Sequence, residues 1–199
     1  MTKPLIKRVC VFCGSSRGRR KEYEESARDL ARALAAREID LVYGGGSVGL
    51  MGILADEMLR LQREVTGVIP RALAAREVAN LALADLRVVG TMHERKSLMA
   101  ELSDAFIALP GGFGTFEELF EIITWAQLGI HQKPIGLLNV NGYFDPLLSM
   151  ISRAVEDEFI RPEYSQLLAI ANKIPELLDL LSSFEPMAGL TKWVDLADT

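Results

Sequence analysis

Cysteine is nearly absent from this chain: two in 199 residues, Cys10 and Cys13. They form a Cys-x-x-Cys, but a redox motif needs its first cysteine at a helix start, and a zinc site needs two more ligands. Here the pair lies in the strand-like run Val9-Cys10-Val11-Phe12-Cys13, where residues three apart point to opposite faces. The pair reads as two small buried side chains and the compartment as the cytoplasm; no metal is expected. Also missing is any apolar run of about 18 residues, so no membrane span is read. The basic start is followed by an apolar run of Val9 to Cys13 alone, which is not read as a signal peptide. There is no excess of positive charge. Lys and Arg total 22 against 27 Asp and Glu, a net charge of -5. This argues against general nucleic-acid or anionic-membrane partners, while a small anionic ligand held by local dipoles stays open.

What is present is an ordinary globular composition, 49% hydrophobic and 25% charged, which excludes a disordered or collagen-like chain. Apolar runs bounded by glycine alternate with amphipathic segments. Strands are expected near residues 8–12, 40–43, 65–69, 86–89, 105–109, 134–139 and 167–171. Helices are expected near 22–37, 50–61, 93–102, 116–128, 146–159 and 175–181, with 71–85 either helix or loop. Asp145 reads as the N-cap of the helix at 146, with Pro146 at its first position. Strands apolar on both faces, alternating with helices, predict an α/β fold: a single-domain, Rossmann-like, doubly wound parallel sheet with helices on both faces. The domain is expected to span residues 1–184, with 185–199 a tail. Its ligand should lie beyond the carboxyl ends of the strands.

Three strand ends carry glycine: Gly14-Ser15, Gly44-Gly45-Gly46 and Gly111-Gly112. The middle one fits both Gly-x-Gly-x-x-Gly and Gly-x-Ser-x-Gly. The dinucleotide reading needs an acid at the end of the next strand, but that strand ends Gly67-Val68-Ile69-Pro70. The hydrolase reading needs a late histidine, but the two histidines are His93 and His131. No Gly-x-x-x-x-Gly-Lys occurs, which excludes a P-loop. What survives is glycine backbone at helix starts, presenting N–H groups to an anion. The segment Pro110-Gly111-Gly112-Phe113-Gly114-Thr115-Phe116-Glu117-Glu118 runs from a buried strand into a helix. A capping box, with Thr115 as the cap and Glu118 three residues later, accounts for two of its residues but not for its glycines.

This segment resembles the Pro-Gly-Gly-x-Gly-Thr-x-x-Glu motif of the LOG family, the cytokinin riboside 5′-monophosphate phosphoribohydrolases often labelled lysine decarboxylase-like. Met92-His93-Glu94-Arg95-Lys96, the loop at residues 44–52, the run at 123–131 and Leu137-Leu138-Asn139-Val140 are similar to other family segments, so the likeness extends over residues 8–180. The resemblance implies hydrolysis of a purine nucleoside 5′-monophosphate to free base and ribose 5-phosphate, AMP included. It implies a catalytic pair at Arg95 and Glu118, with substrate-binding positions at Glu77, Arg95, Lys96, Gly112, Phe113, Gly114, Thr115, Phe116, Glu117, Glu118 and Thr124. It also implies a homodimer with the site near the interface. No cofactor is implied; a decarboxylase would need pyridoxal phosphate on a Schiff-base lysine with partners for ring and phosphate, and no such set is recognisable. The residues agree with a glycosidase, because an oxocarbenium-like transition state needs a carboxylate nearby. The competing reading is a non-catalytic carrier of a nucleotide or a nucleotide-bearing cofactor, which would have no use for a carboxylate beside an anion.

Overall fold

The computed structural model describes residues 5–74 and 79–187. Seven strands, β1 (Arg8–Phe12), β2 (Asp40–Tyr43), β3 (Val65–Pro70), β4 (Asp85–Val89), β5 (Ala105–Ala108), β6 (Ile135–Leu138) and β7 (Leu168–Ala171), alternate with helices. The helices are α1 (Lys21–Ala36), α2 (Gly49–Arg60), α3 (Arg71–Ala74), α4 (Met92–Glu101), α5 (Phe113–Gln127), α6 (Asp145–Glu156) and α7 (Ile174–Ser182). The strands form one sheet in the order β4-β3-β2-β1-β5-β6-β7, and every pairing is parallel. The chain steps outward from β1 to β4, returns through α4, and resumes at β5 on the other side of β1. This reversal opens a crevice beyond the carboxyl ends of β1 and β5, where open α/β sheets bind ligands.

Alternation along the strands builds two cores. Val9, Val11, Leu41 and Tyr43 pack with Leu30, Leu34, Leu54 and Leu177 from α1, α2 and α7. Phe12, Val42, Phe106 and Ala108 pack on the other face with Met99 of α4 and Leu119 and Ile122 of α5. Cys13 belongs to the first core and Cys10 to the second, both free thiols, as period-two alternation predicts. A buried carboxylate, Glu57, joins α1 to α2 through Arg32 and is clasped by Arg60, both at 2.8 Å. These hydrogen bonds, that of Arg60 above all, hold Glu57 down at about 2 against its burial.

Two caps differ from the sequence expectation. α5 starts at Phe113 with Gly112 as its N-cap, so Thr115 lies inside the first turn and makes no capping box with Glu118. Gly112 has no side chain with which to cap, so the helix begins with open N–H groups. The capping box in this region is on α4, Thr91 with Glu94, a Thr-x-x-Glu spacing legible in the sequence. In α6, Asp145 is the first helical residue rather than the cap, which is Phe144. Its carboxylate instead accepts from Asn139 Nδ2 at 2.7 Å, tying the helix to the end of β6. The ambiguous stretch after β3 opens as the short helix α3; Glu77 and the tail from 188 on lie outside the described residues.

Candidate active site

The capping box aims Arg95. Glu94 N donates to Thr91 Oγ1 at 3.1 Å and Gly90 N to Glu94 Oε2 at 2.7 Å, which fixes the first turn of α4. Arg95 then points inward and is buried. Its Nε donates to the carbonyl of Val68 in β3 at 3.1 Å, and its Nη1 lies 3.3 Å from Glu118 Oε1. Room for the guanidinium comes from Gly44: a Cβ there would sit 1.9 Å from Arg95 Nη2. The middle glycine loop thus makes space for an arginine at its first position. Gly45 takes positive φ (72°) and its carbonyl accepts from Asn80 N at 2.8 Å.

Glu118 comes from the second turn of α5. The turn before it is tight: a Cβ on Gly111 would lie 2.1 Å from Thr115 Oγ1, so Thr115 is buried directly under a glycine. Gly14 N donates to Pro110 O at 3.1 Å and Leu50 N to Gly14 O at 2.9 Å, locking the three glycine-bearing loops together. Gly112 and Gly114 leave open space where side chains would stand. No side chain caps α5, so the N–H groups of its first turn face outward with the positive end of the helix dipole.

These elements enclose a cleft of about 390 Å³ lined by Cys13, Ser15, Gly44, Gly46, Val48, Met51, Ile69, Leu73, Arg95, Gly112, Phe113, Gly114, Thr115 and Glu118. Burial pushes the Glu118 carboxyl up to about 7, outweighing the nearby Arg95 charge, which lowers it. Burial, then the Glu118 charge, also raises the Cys13 thiol, which stays protonated. A carboxyl group poised near neutrality, held against a fixed arginine, is suited to general acid–base work.

Other expected positions lie outside this cleft. Lys96 bonds Glu117 and Glu121 (2.9 Å to the latter), with its side chain 12% exposed. Burial alone would lower Lys96, but these hydrogen bonds outweigh it and hold it above its ordinary value. Phe116 packs into the core beneath α5. Thr124 is exposed and donates back to Phe120 O at 2.7 Å. Gly14 and Gly111 border a neighbouring cleft. His93 is exposed, and His131 is tied to Ile122 O at 2.9 Å. The sequence did not single out the apolar wall of Val48, Met51, Ile69 and Leu73: Val48 and Met51 lie in the glycine-loop segment 44–52 without being read as lining residues, and Ile69 at the end of β3 and Leu73 of α3 lie outside every motif. Among the described residues no group of His, Cys, Asp and Glu could hold a metal ion, and no helix is long and apolar enough to cross a membrane.

Fold and cleft together define a Rossmann-like α/β protein with a pocket at the switch point of its sheet, bordered by the uncapped start of α5. Residues 51–181 match the family described as "Possible lysine decarboxylase". A relative from Oryza sativa subsp. japonica, "Probable cytokinin riboside 5′-monophosphate phosphoribohydrolase LOGL2", is 54% identical over 181 residues, 91% of this chain and 74% of its own. Cytokinin riboside 5′-monophosphate phosphoribohydrolase LOG3 of Arabidopsis thaliana is 51% identical over 186 residues, 94% of this chain and 86% of its own. The chain belongs to this family, the LOG family. Among solved structures, the molybdenum cofactor binding protein of Rippkaea orientalis superposes with a TM-score of 0.67 at 22% identity, covering 92% of this chain and 98% of its own. That likeness shows the shared fold, and folds of this type serve both binding and catalysis.

Proposed function

We propose that this chain hydrolyses the N-glycosidic bond of a cytokinin-type purine riboside 5′-monophosphate to free base and ribose 5-phosphate, with AMP as the simplest substrate. The observation that carries the reading is the buried Arg95–Glu118 pair, 3.3 Å apart, beside the open N-terminus of α5. The phosphate sits on the N–H groups of Gly112, Phe113 and Gly114, where helix dipole and free donors favour an anion. Its binding holds the anomeric carbon against Glu118. As the C1′–N bond breaks, its electron pair leaves with the base, and the Glu118 carboxylate faces the developing oxocarbenium charge. Water adds to C1′ and gives a proton to Glu118, the departing base takes a proton from solvent at a ring nitrogen, and Glu118 then returns its proton to solvent, so the carboxylate is regenerated and one water is consumed with no net change in protons. Arg95, already tied to Val68, keeps Glu118 oriented and offers its remaining donors to the substrate. The apolar wall of Val48, Met51, Ile69 and Leu73 suits the base.

The same reading has a homodimer as the working unit. Phe113 at the cleft mouth is 92% exposed in the single chain, and Met92 is also exposed. Thr124, implied in binding by the family motif, faces away from its own cleft and would serve the site across a two-fold axis. Incubation with AMP and with isopentenyladenosine monophosphate, followed by chromatography of free base, tests the activity. Nucleotide bound in stoichiometric amount with no base released would instead mean a carrier.

A further inference from the structure

An anion-binding helix start is only as good as the orientation of its peptide groups. Here the turn ahead of α5 has glycine at both 111 and 112, and a peptide between two glycines rotates with little steric resistance. The structure ties this turn from outside. Pro110 O is held by Gly14 N, and Gly111 O accepts a hydrogen bond from the hydroxyl of Tyr143, which follows the 3₁₀ turn Val140–Gly142 after β6. The Tyr143 ring is itself fixed edge-on against Tyr23 at 5.7 Å and Phe144 at 5.0 Å. Among the described residues every peptide bond is trans, so the carbonyl of Gly111 and the N–H of Gly112 point in opposite directions within one plane. Tyr143 borders a separate cleft of about 300 Å³ and no part of the Glu118 cleft; Gly112 borders both. With the carbonyl turned toward Tyr143, the Gly112 N–H is turned away from it, and Gly112 is the residue of this peptide that borders the Glu118 cleft.

We propose that Tyr143 is a positioning residue for phosphate recognition: its hydroxyl fixes the Gly111–Gly112 peptide so that the Gly112 N–H joins those of Phe113 and Gly114 in holding the 5′-phosphate. This rests on the proposed nucleotide-monophosphate reading, and the test separates the two. Tyr143→Phe keeps the ring and its edge contacts and removes only the hydroxyl, and Tyr23→Phe is the packing control. Calorimetric affinity for ribose 5-phosphate falls about tenfold in Tyr143→Phe, the weight of one such hydrogen bond, and is unchanged in Tyr23→Phe. In kinetics, the ratio of kcat/KM for AMP to that for adenosine falls by a similar factor, mostly through KM. Thermal midpoints of both variants stay close to that of the parent. Unchanged ribose 5-phosphate affinity, equal losses on AMP and adenosine, or the same loss in Tyr23→Phe would each overturn the assignment. A parent protein that binds ribose 5-phosphate but releases no base from AMP defeats the hydrolase reading while leaving the Tyr143 comparison readable by calorimetry. A parent that does not bind ribose 5-phosphate defeats the Tyr143 proposal.

Discussion

The volume that a side chain at Gly44 would fill is occupied by the Arg95 guanidinium: a Cβ there would stand 1.9 Å from Nη2 and 3.1 Å from Cζ. Gly44→Ala should therefore be felt in catalysis more than in folding. The group that must yield is the far end of a long side chain, so the fold adjusts, but Arg95 leaves Val68 and Glu118. The expected outcome is a fall in kcat/KM of at least about tenfold, the loss of one oriented charged hydrogen bond, with the melting temperature within a few degrees of the parent. A variant with full activity would show that the guanidinium position is not used.

Glu118→Gln removes the carboxylate and keeps the shape. Turnover should fall by at least about 10²-fold, the lower range for an acid–base group, while ribose 5-phosphate still binds. With Glu118 acting as the carboxylate and its pKa near 7, kcat/KM of the parent should rise with pH through about 7. That limb is absent from the residual activity of the variant. The ionisation of a phosphate monoester, near pH 6, affects both proteins alike, so the difference between the two profiles reports Glu118.

The same carboxyl group makes stability depend on pH. Its folded-state pKa is raised, so its contribution is complete below the unfolded value near 4.5 and is lost as pH rises through about 7. Glu118→Gln mimics the protonated form. Parent and variant should melt together near pH 3.5, begin to separate above about pH 4.5, and differ by up to about 3 kcal/mol in stability at pH 8.5, with the variant the more stable. Glu57 has the opposite sign. Its pKa is depressed to about 2, so it supports the fold above the unfolded value near 4.5 and loses that support as pH falls toward 2. Calorimetric melts across pH 2.5–8.5 read both limbs; a pH-independent gap between parent and Glu118→Gln would contradict the burial argument.

The 5′-phosphate should be required. Two or three charge-assisted hydrogen bonds of about 1.5–3 kcal/mol each suggest a preference for AMP over adenosine of roughly 10²–10⁴-fold in kcat/KM, allowing for non-additivity. ATP should also be disfavoured, since further phosphates bring negative charge toward Glu118 and the exposed Glu117. Steady-state kinetics on adenosine, AMP and ATP at one ionic strength is the measurement, and comparable values for adenosine and AMP would remove the phosphate anchor.

In solution the protein should scatter light as a particle of twice 22.0 kDa at micromolar concentration. On α5, Leu119, Ile122 and Ala126 are buried by the chain itself, whereas Phe116, Ile123 and Trp125 are half-covered and Phe113 is open. A 22.0 kDa particle would count against the two-fold arrangement.

The sheet was legible because its strands are continuous apolar runs: the start of β1 at Arg8 and of β2 at Asp40 fall where the pattern puts them. Helix starts were less so. Thr115 has the chemistry of a cap, yet the helix opens at Phe113 with Gly112 as its cap, and Thr115 is taken up instead beneath Gly111 in the first turn. Arg95 and Glu118 could be named from motifs, but the geometry of their contact could not, since it depends on Val68 of β3 and on Gly44 just beyond β2. Tyr143 escaped notice because its partner is a backbone carbonyl, which leaves no mark in the sequence. The family resemblance puts Lys96 among the substrate-binding positions; only the packing of α4 on α5 reveals Glu117 and Glu121 around it.

The pairing of β1 with β5, Val9 against Ala105 and Phe12 against Ala108, joins segments with three other strands between them in the chain. Such contacts carry a large loop-closure cost and form late in folding. Two of the bonds that shape the cleft join the two halves of the chain across that seam: Gly14 to Pro110 and Arg95 to Glu118. A refolding chain can regain its helices and its first four strands while still having nowhere to seat a ligand. During renaturation, recovery of ligand binding therefore lags behind recovery of the helical signal, and the delay times the closing of the sheet at its centre.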